Sequence, residues 1–89
     1  MGRSRFHVEW AESAVRDLEE LAGFLATRSE RDAERVVSLI ERRATTLESS
    51  PTRGRVVPEL TRFGMQTWRE LIVRPWRLVY RIEGDVVTV

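Results

Sequence analysis

The amino-acid sequence predicts an α+β fold in which an αα-hairpin packs on one face of a small antiparallel sheet, in the order β-α-α-β-β-β(-β). Apolar residues recur at helical spacing from Ala14 to Leu25 and again from Ala33 to Leu47. From Trp68 onward they alternate with period two, the pattern of half-buried strands. Few residues separate the two helical stretches, so they must fold back on each other, and each has one apolar stripe to bury.

The first element is a short strand from Arg5 to Trp10, with Phe6, Val8 and Trp10 alternating against Arg5, His7 and Glu9. The first helix starts at Ala11 and ends near Thr27. Its stripe is Ala14, Leu18, Leu21, Ala22 and Leu25, with Arg16, Asp17, Glu19 and Glu20 facing away. No Ser, Thr, Asp or Asn precedes Ala11, so this helix is poorly capped. The second opens after Ser29, with Asp32 three residues on, and its stripe is Ala33, Val36, Val37, Ile40, Ala44 and Leu47. Pro51 and Gly54 stop it.

The remainder reads as β. Val56 to Leu60 is expected to be a short strand, kinked or at an edge because of Pro58. Thr61 to Gly64 forms a turn. Met65 to Val73 is a strand with Trp68, Glu70 and Ile72 on one face and Arg69, Leu71 and Val73 on the other. Arg74-Pro75 connects it tightly to Trp76–Ile82, where Trp76, Leu78, Tyr80 and Ile82 oppose Arg77, Val79 and Arg81. Glu83-Gly84-Asp85 turns into a terminal strand, Val86–Val89. An unpaired edge there predicts a homodimer or a complex over a lone monomer.

Composition narrows the function. Eighty-nine residues make one domain, and such a chain buries only about 60–65% of its unfolded surface. The 42% hydrophobic and 33% charged content suits neither a disordered chain nor a membrane protein. Without cysteine there is no disulfide and no thiolate zinc site. One histidine, His7, supplies neither a metal cluster nor a catalytic relay, so no metal and no cofactor are expected. The N-terminus has no signal-peptide core, and Phe6 stands where myristoylation after Gly2 would want Ser or Thr. Cytoplasm and no membrane contact are the expectation. Net charge is +1, yet residues 51–89 hold seven arginines against four acids, which suits an acidic partner. All fifteen basic residues are arginine, whose planar fork pairs with carboxylate or phosphate and stacks on aromatic rings.

With the elements in place, the wording resembles RelE/ParE toxins, specifically their ParE-like, plasmid-stabilization branch. The resemblance rests on Val8-Glu9-Trp10 with Ala14 and Asp17-Leu18, and on Leu47 through Pro51. It continues in Gly54-Arg55-Val56-Val57-Pro58-Glu59-Leu60, Trp68-Arg69-Glu70-Leu71 and Trp76-Arg77-Leu78-Val79-Tyr80-Arg81, and so spans nearly the whole chain. It implies a type II toxin that inhibits DNA gyrase without being an enzyme and is silenced by a cognate acidic antitoxin. Members usually continue beyond the position of Val89, so a C-terminal segment is expected to be absent.

The alternatives are a ribosome-dependent mRNA endonuclease and a degenerate toxin that only binds antitoxin. Aligned on Arg77-Leu78-Val79-Tyr80, two lysines of the ribonuclease branch fall on Trp68 and Glu70, leaving only its arginine, Arg77. An arginine stabilises charge but deprotonates nothing near neutrality, because its pKa exceeds about 12. Arg77 is therefore the one catalytic candidate, and direct nucleic-acid binding is expected only in the ribonuclease alternative. Trp68, Arg69, Arg74, Trp76, Arg77 and Arg81 are the candidate partner-binding residues. Each has a plainer reading: Trp68 and Trp76 as core, Arg77 as an ion pair with Glu70 or Glu59, Arg69 and Arg81 as structural pairs. His7 is expected in solvent.

Overall fold

The computed structural model describes residues 5–61 and 68–89. In chain order the elements are β1 (His7–Glu9), α1 (Glu12–Ala26), α2 (Glu30–Thr45), a 3-10 turn (Thr46–Glu48), β2 (Arg55–Val56), α3 (Pro58–Thr61), β3 (Trp68–Val73), β4 (Trp76–Glu83) and β5 (Val86–Thr88). The five strands form one sheet in the order β1-β5-β4-β3-β2. Consecutive strands from β2 to β5 pair antiparallel, whereas β1 pairs parallel with β5. The sheet is thus mixed rather than purely antiparallel. A strand that leaves for a helical hairpin and re-enters beside the last strand must run alongside it.

That parallel pair corrects a second expectation. β5 lies between β4 and β1, and Val89 donates to the Glu9 carbonyl at 2.8 Å and accepts from the Ala11 N–H at 2.9 Å. The terminal strand therefore offers no long free edge, and the argument for a homodimer from such an edge falls away.

Val56–Leu60 is the third correction. Only Arg55 and Val56 pair with β3, and the chain then coils into α3, with Pro58 at its first position. Proline fits there because its missing N–H would have had no helical acceptor. Positions 62–67, which hold the rest of the expected turn and the first residues of the Met65–Val73 strand, lie outside the described residues.

Two helices pack on the sheet, unequally. Ser29 caps α2 by accepting from the Asp32 N–H at 3.2 Å, and Ala33, Val36, Ile40 and Ala44 are buried. They meet Leu47, Leu71, Val73, Leu78, Tyr80 and Val87 in the core. α1 starts from Ala11 without a side-chain cap and has no buried residue. Its stripe of Ala14, Leu18, Leu21 and Leu25 touches the core but stays half-buried.

Two connections fix the meander. β3 and β4 join through Arg74-Pro75, a cis peptide, and β4 and β5 through Gly84, whose φ of 59° an L side chain rarely adopts. Behind β3 and β4, the fully buried Tyr80 hydroxyl donates to the Pro51 carbonyl at 2.7 Å and accepts from the Gly54 N–H at 3.0 Å. A Cβ on Gly54 would stand 2.6 Å from both that hydroxyl and the Glu70 carbonyl, so only glycine lets the loop close on the sheet.

Candidate functional site

Helices cover one face of the sheet, which makes the opposite face of β3 and β4 the place for chemistry. Cross-strand register puts Trp68 beside Arg81, Glu70 beside Val79 and Ile72 beside Arg77 on that face. Leu71, Val73, Leu78 and Tyr80 point into the core, as the alternation of a strand requires. Arg77 thus projects away from the helices.

A carboxylate organises this face. Glu70 is the one buried charged residue among those described, and its side chain is fully inaccessible. Arg55, directly opposite on β2, donates from Nε to Oε2 at 2.5 Å. Arg77, from β4, donates from Nη1 to Oε1 at 2.8 Å. The same Nη1 reaches Glu59 Oε2 at 3.0 Å, carried there by α3. A buried carboxylate needs such partners, because desolvation would otherwise cost several kcal/mol. The Glu59 carboxyl is held below its ordinary value, first by its backbone hydrogen bond and then by Arg77. Arg77 is pushed further up, first by its hydrogen bond to Glu59.

The candidate arginines divide between the two faces of the sheet. Arg77 and Arg81 share the open face, and the Arg81 guanidinium stacks 5.5 Å from the centre of the Trp68 ring and pairs with Glu83 at 3.4 Å. Arg69 is paired with Tyr80 and belongs to the other face. It donates to the Gly54 carbonyl at 2.7 Å and pins the 52–54 loop. Trp68 is half-buried on the open face, so its reading as core does not hold there, whereas Trp76 and Trp10 pack against the core from its rim. Arg74 stands exposed in the β3–β4 turn. His7 is exposed and sits 3.3 Å from Glu9.

Sequence reasoning missed two features. Arg55 gave no signal, because its role depends on β2 pairing in register with Glu70. The second is a cleft of about 600 Å³ between β4 and α1, lined in part by Trp10, Asp17, Leu18, Trp76, Arg77 and Val79. Among the described residues no cluster of His, Asp and Glu could hold a metal ion, and no helix is long and apolar enough to cross a membrane.

A sheet of this order with a helical hairpin on one face is also the fold of a solved chain described as a chromosomal ParDE toxin–antitoxin system from P. aeruginosa. The two superpose with a TM-score of 0.76 at 17% identity, covering 97% of this chain and 91% of that one. No curated protein matches the chain. Over residues 8–89 the sequence matches the family described as ParE toxin of the type II toxin–antitoxin system parDE, and the chain belongs to that family.

Proposed function

We propose that this ParE-type toxin acts in the cytoplasm as a non-enzymatic inhibitor of DNA gyrase and is neutralised by a cognate acidic antitoxin. The observation that carries this reading is the burial of Glu70 between Arg55 and Arg77. A ribonuclease site needs a group that takes a proton from a ribose hydroxyl and cations that receive the developing phosphate charge. Here the position that the resemblance assigns to a lysine holds a carboxylate with no access to solvent. Arg77 spends the same nitrogen on Glu70 and Glu59. The open face carries Arg55, Arg77 and Arg81, and arginine is enriched where proteins bind one another, which supports a protein partner.

The reading is tested by adding purified toxin to a gyrase supercoiling reaction. Supercoiling is expected to fall with increasing toxin and to recover when the antitoxin is added in equal amount. Undisturbed supercoiling at saturating toxin would sink the proposal. Intact gyrase activity with cut mRNA in expressing cells, abolished by Arg77→Ala, would instead select the ribonuclease alternative. No effect on growth beside tight antitoxin binding would select the degenerate toxin.

A further inference from the structure

Among the described residues the open face carries three arginines, and the chain supplies each with a carboxylate. The three acids are not equivalent. Glu70 is fully buried and holds Arg55 and Arg77 together. Glu59 and Glu83 stand at the surface, 61% and 66% exposed, and each meets one arginine, at 3.0 Å on Arg77 and 3.4 Å on Arg81.

Neither outer acid is needed to place its arginine. Glu70 accepts from Arg77 at 2.8 Å from within the face, and the Arg81 guanidinium lies 5.5 Å from the centre of the Trp68 ring. Exposed ion pairs of this kind add little to stability. What they change is charge. Three arginines against three glutamates leave the face neutral. Without Glu59 and Glu83 it would hold two uncompensated guanidiniums beside an indole ring. Cations that follow a phosphate backbone, next to an aromatic side chain, are what binds single-stranded nucleic acid without regard to sequence. The Glu59 carboxyl, held low by its backbone hydrogen bond and by Arg77, stays charged at neutral pH.

We infer that Glu59 and Glu83 are specificity-determining residues: they keep nucleic acid off the open face while leaving its arginines in place for a protein partner. This rests on the reading of that face as a protein-contact surface. Discrimination often comes from an element set against the wrong partner, and here that element is negative charge at the rim of a basic face. A nucleic acid is held by charge and counterion release, which the two outer acids cancel. A protein partner can offer a carboxylate in place of each one displaced. It also gains apolar contact over Ile72, which is 40% exposed and lies beside Arg77.

The test measures binding of the full chain to a fluorescent oligouridine RNA of about 12 nucleotides, by anisotropy at increasing salt. The wild type should bind weakly, with a shallow salt dependence. Glu59→Gln/Glu83→Gln should bind at least about tenfold tighter at low salt, and its salt slope should steepen by about 0.7 for each arginine released. Adding Arg77→Ala and Arg81→Ala should remove the gain. Glu20→Gln/Glu41→Gln, at exposed positions of α1 and α2, changes the net charge equally and should bind as weakly as the wild type. Equal binding by the wild type and Glu59→Gln/Glu83→Gln, whether weak or tight, overturns the inference. So does a gain that survives loss of the two arginines or that the helix variant matches, because total charge would then decide. Should the double variant fail to fold, Glu59→Gln and Glu83→Gln decide singly by the same criteria. None of these results touches gyrase inhibition, which the supercoiling reaction judges. Undisturbed supercoiling removes the protein-partner reading and leaves the RNA measurements as they stand.

Discussion

At the scale of single residues, Glu70 governs the open face, and its environment makes its contacts asymmetric. Its side chain is wholly buried, whereas those of Arg55 and Arg77 are 63% and 45% exposed. Removing the carboxylate leaves two guanidiniums that water can solvate in place. Removing both guanidiniums leaves a carboxylate that water cannot reach. Glu70→Gln is therefore expected to lower the melting temperature only slightly. Arg55→Ala and Arg77→Ala should each be tolerated because the other arginine remains. The double variant should lose clearly more than the sum of the two, read by thermal unfolding at neutral pH. An additive double variant would show that the three side chains do not act as one unit. The same asymmetry bears on function: Arg77→Ala can test partner contact without collapsing the face, since Arg55 still holds Glu70.

At the scale of elements, the two helices show how packing and capping share the work of holding a helix. α2 has a serine cap and four buried residues, while α1 has neither a side-chain cap nor a buried residue. Ala11 already has the extended backbone of a cap, with φ −64° and ψ 152°. Ala11→Ser should therefore add about 0.5–1 kcal/mol of stability, and Ser29→Ala should remove about 1 kcal/mol. Urea denaturation of the two variants checks both signs, and a destabilising Ala11→Ser would mean that the position is constrained by its bond to Val89. Both helices and the β3–β4 hairpin were legible because each is long enough for its period to show. Val56–Leu60 reads as a strand because five residues with three apolar ones fit one, while the single mark of a helical turn is the proline at its start. The β1–β5 pairing left no trace in the sequence, since a three-residue strand carries no mark of its neighbour. At the site, Arg77's outward direction followed from alternation. Trp68's opposite placement and the burial of Glu70 did not, because they depend on which face the helices cover and on what β2 brings alongside.

At the scale of the whole molecule, composition turns one hydroxyl into a measurable handle. The chain has no lysine and no cysteine, and its single tyrosine is Tyr80. Arginines stay charged to above about pH 12, so between roughly pH 9 and 12 Tyr80 is the one side chain left to titrate. Burial pushes its pKa above 10.0, partly countered by the hydrogen bond from Gly54 and by the charges of Arg69 and Arg53. A folded pKa raised above the unfolded one means the folded state holds the proton more tightly. Its contribution is full below pH 10.0 and is lost as pH rises toward the folded value, with a slope of at most about 1.4 kcal/mol per pH unit. At acid pH the sign reverses through Glu59: its lowered pKa gives a contribution present above pH 4.5 and lost as pH falls. Urea midpoints of the wild type should thus decline at both ends. Tyr80→Phe should be less stable at neutral pH by about 1–3 kcal/mol, because the Gly54 N–H and the Pro51 carbonyl lose their buried partner. Its midpoint should then stay flat as pH rises past 10.0, where the wild type falls. A variant that keeps the alkaline decline would show that the loss comes from elsewhere and that the latch of Tyr80 on the 51–54 loop does not set it.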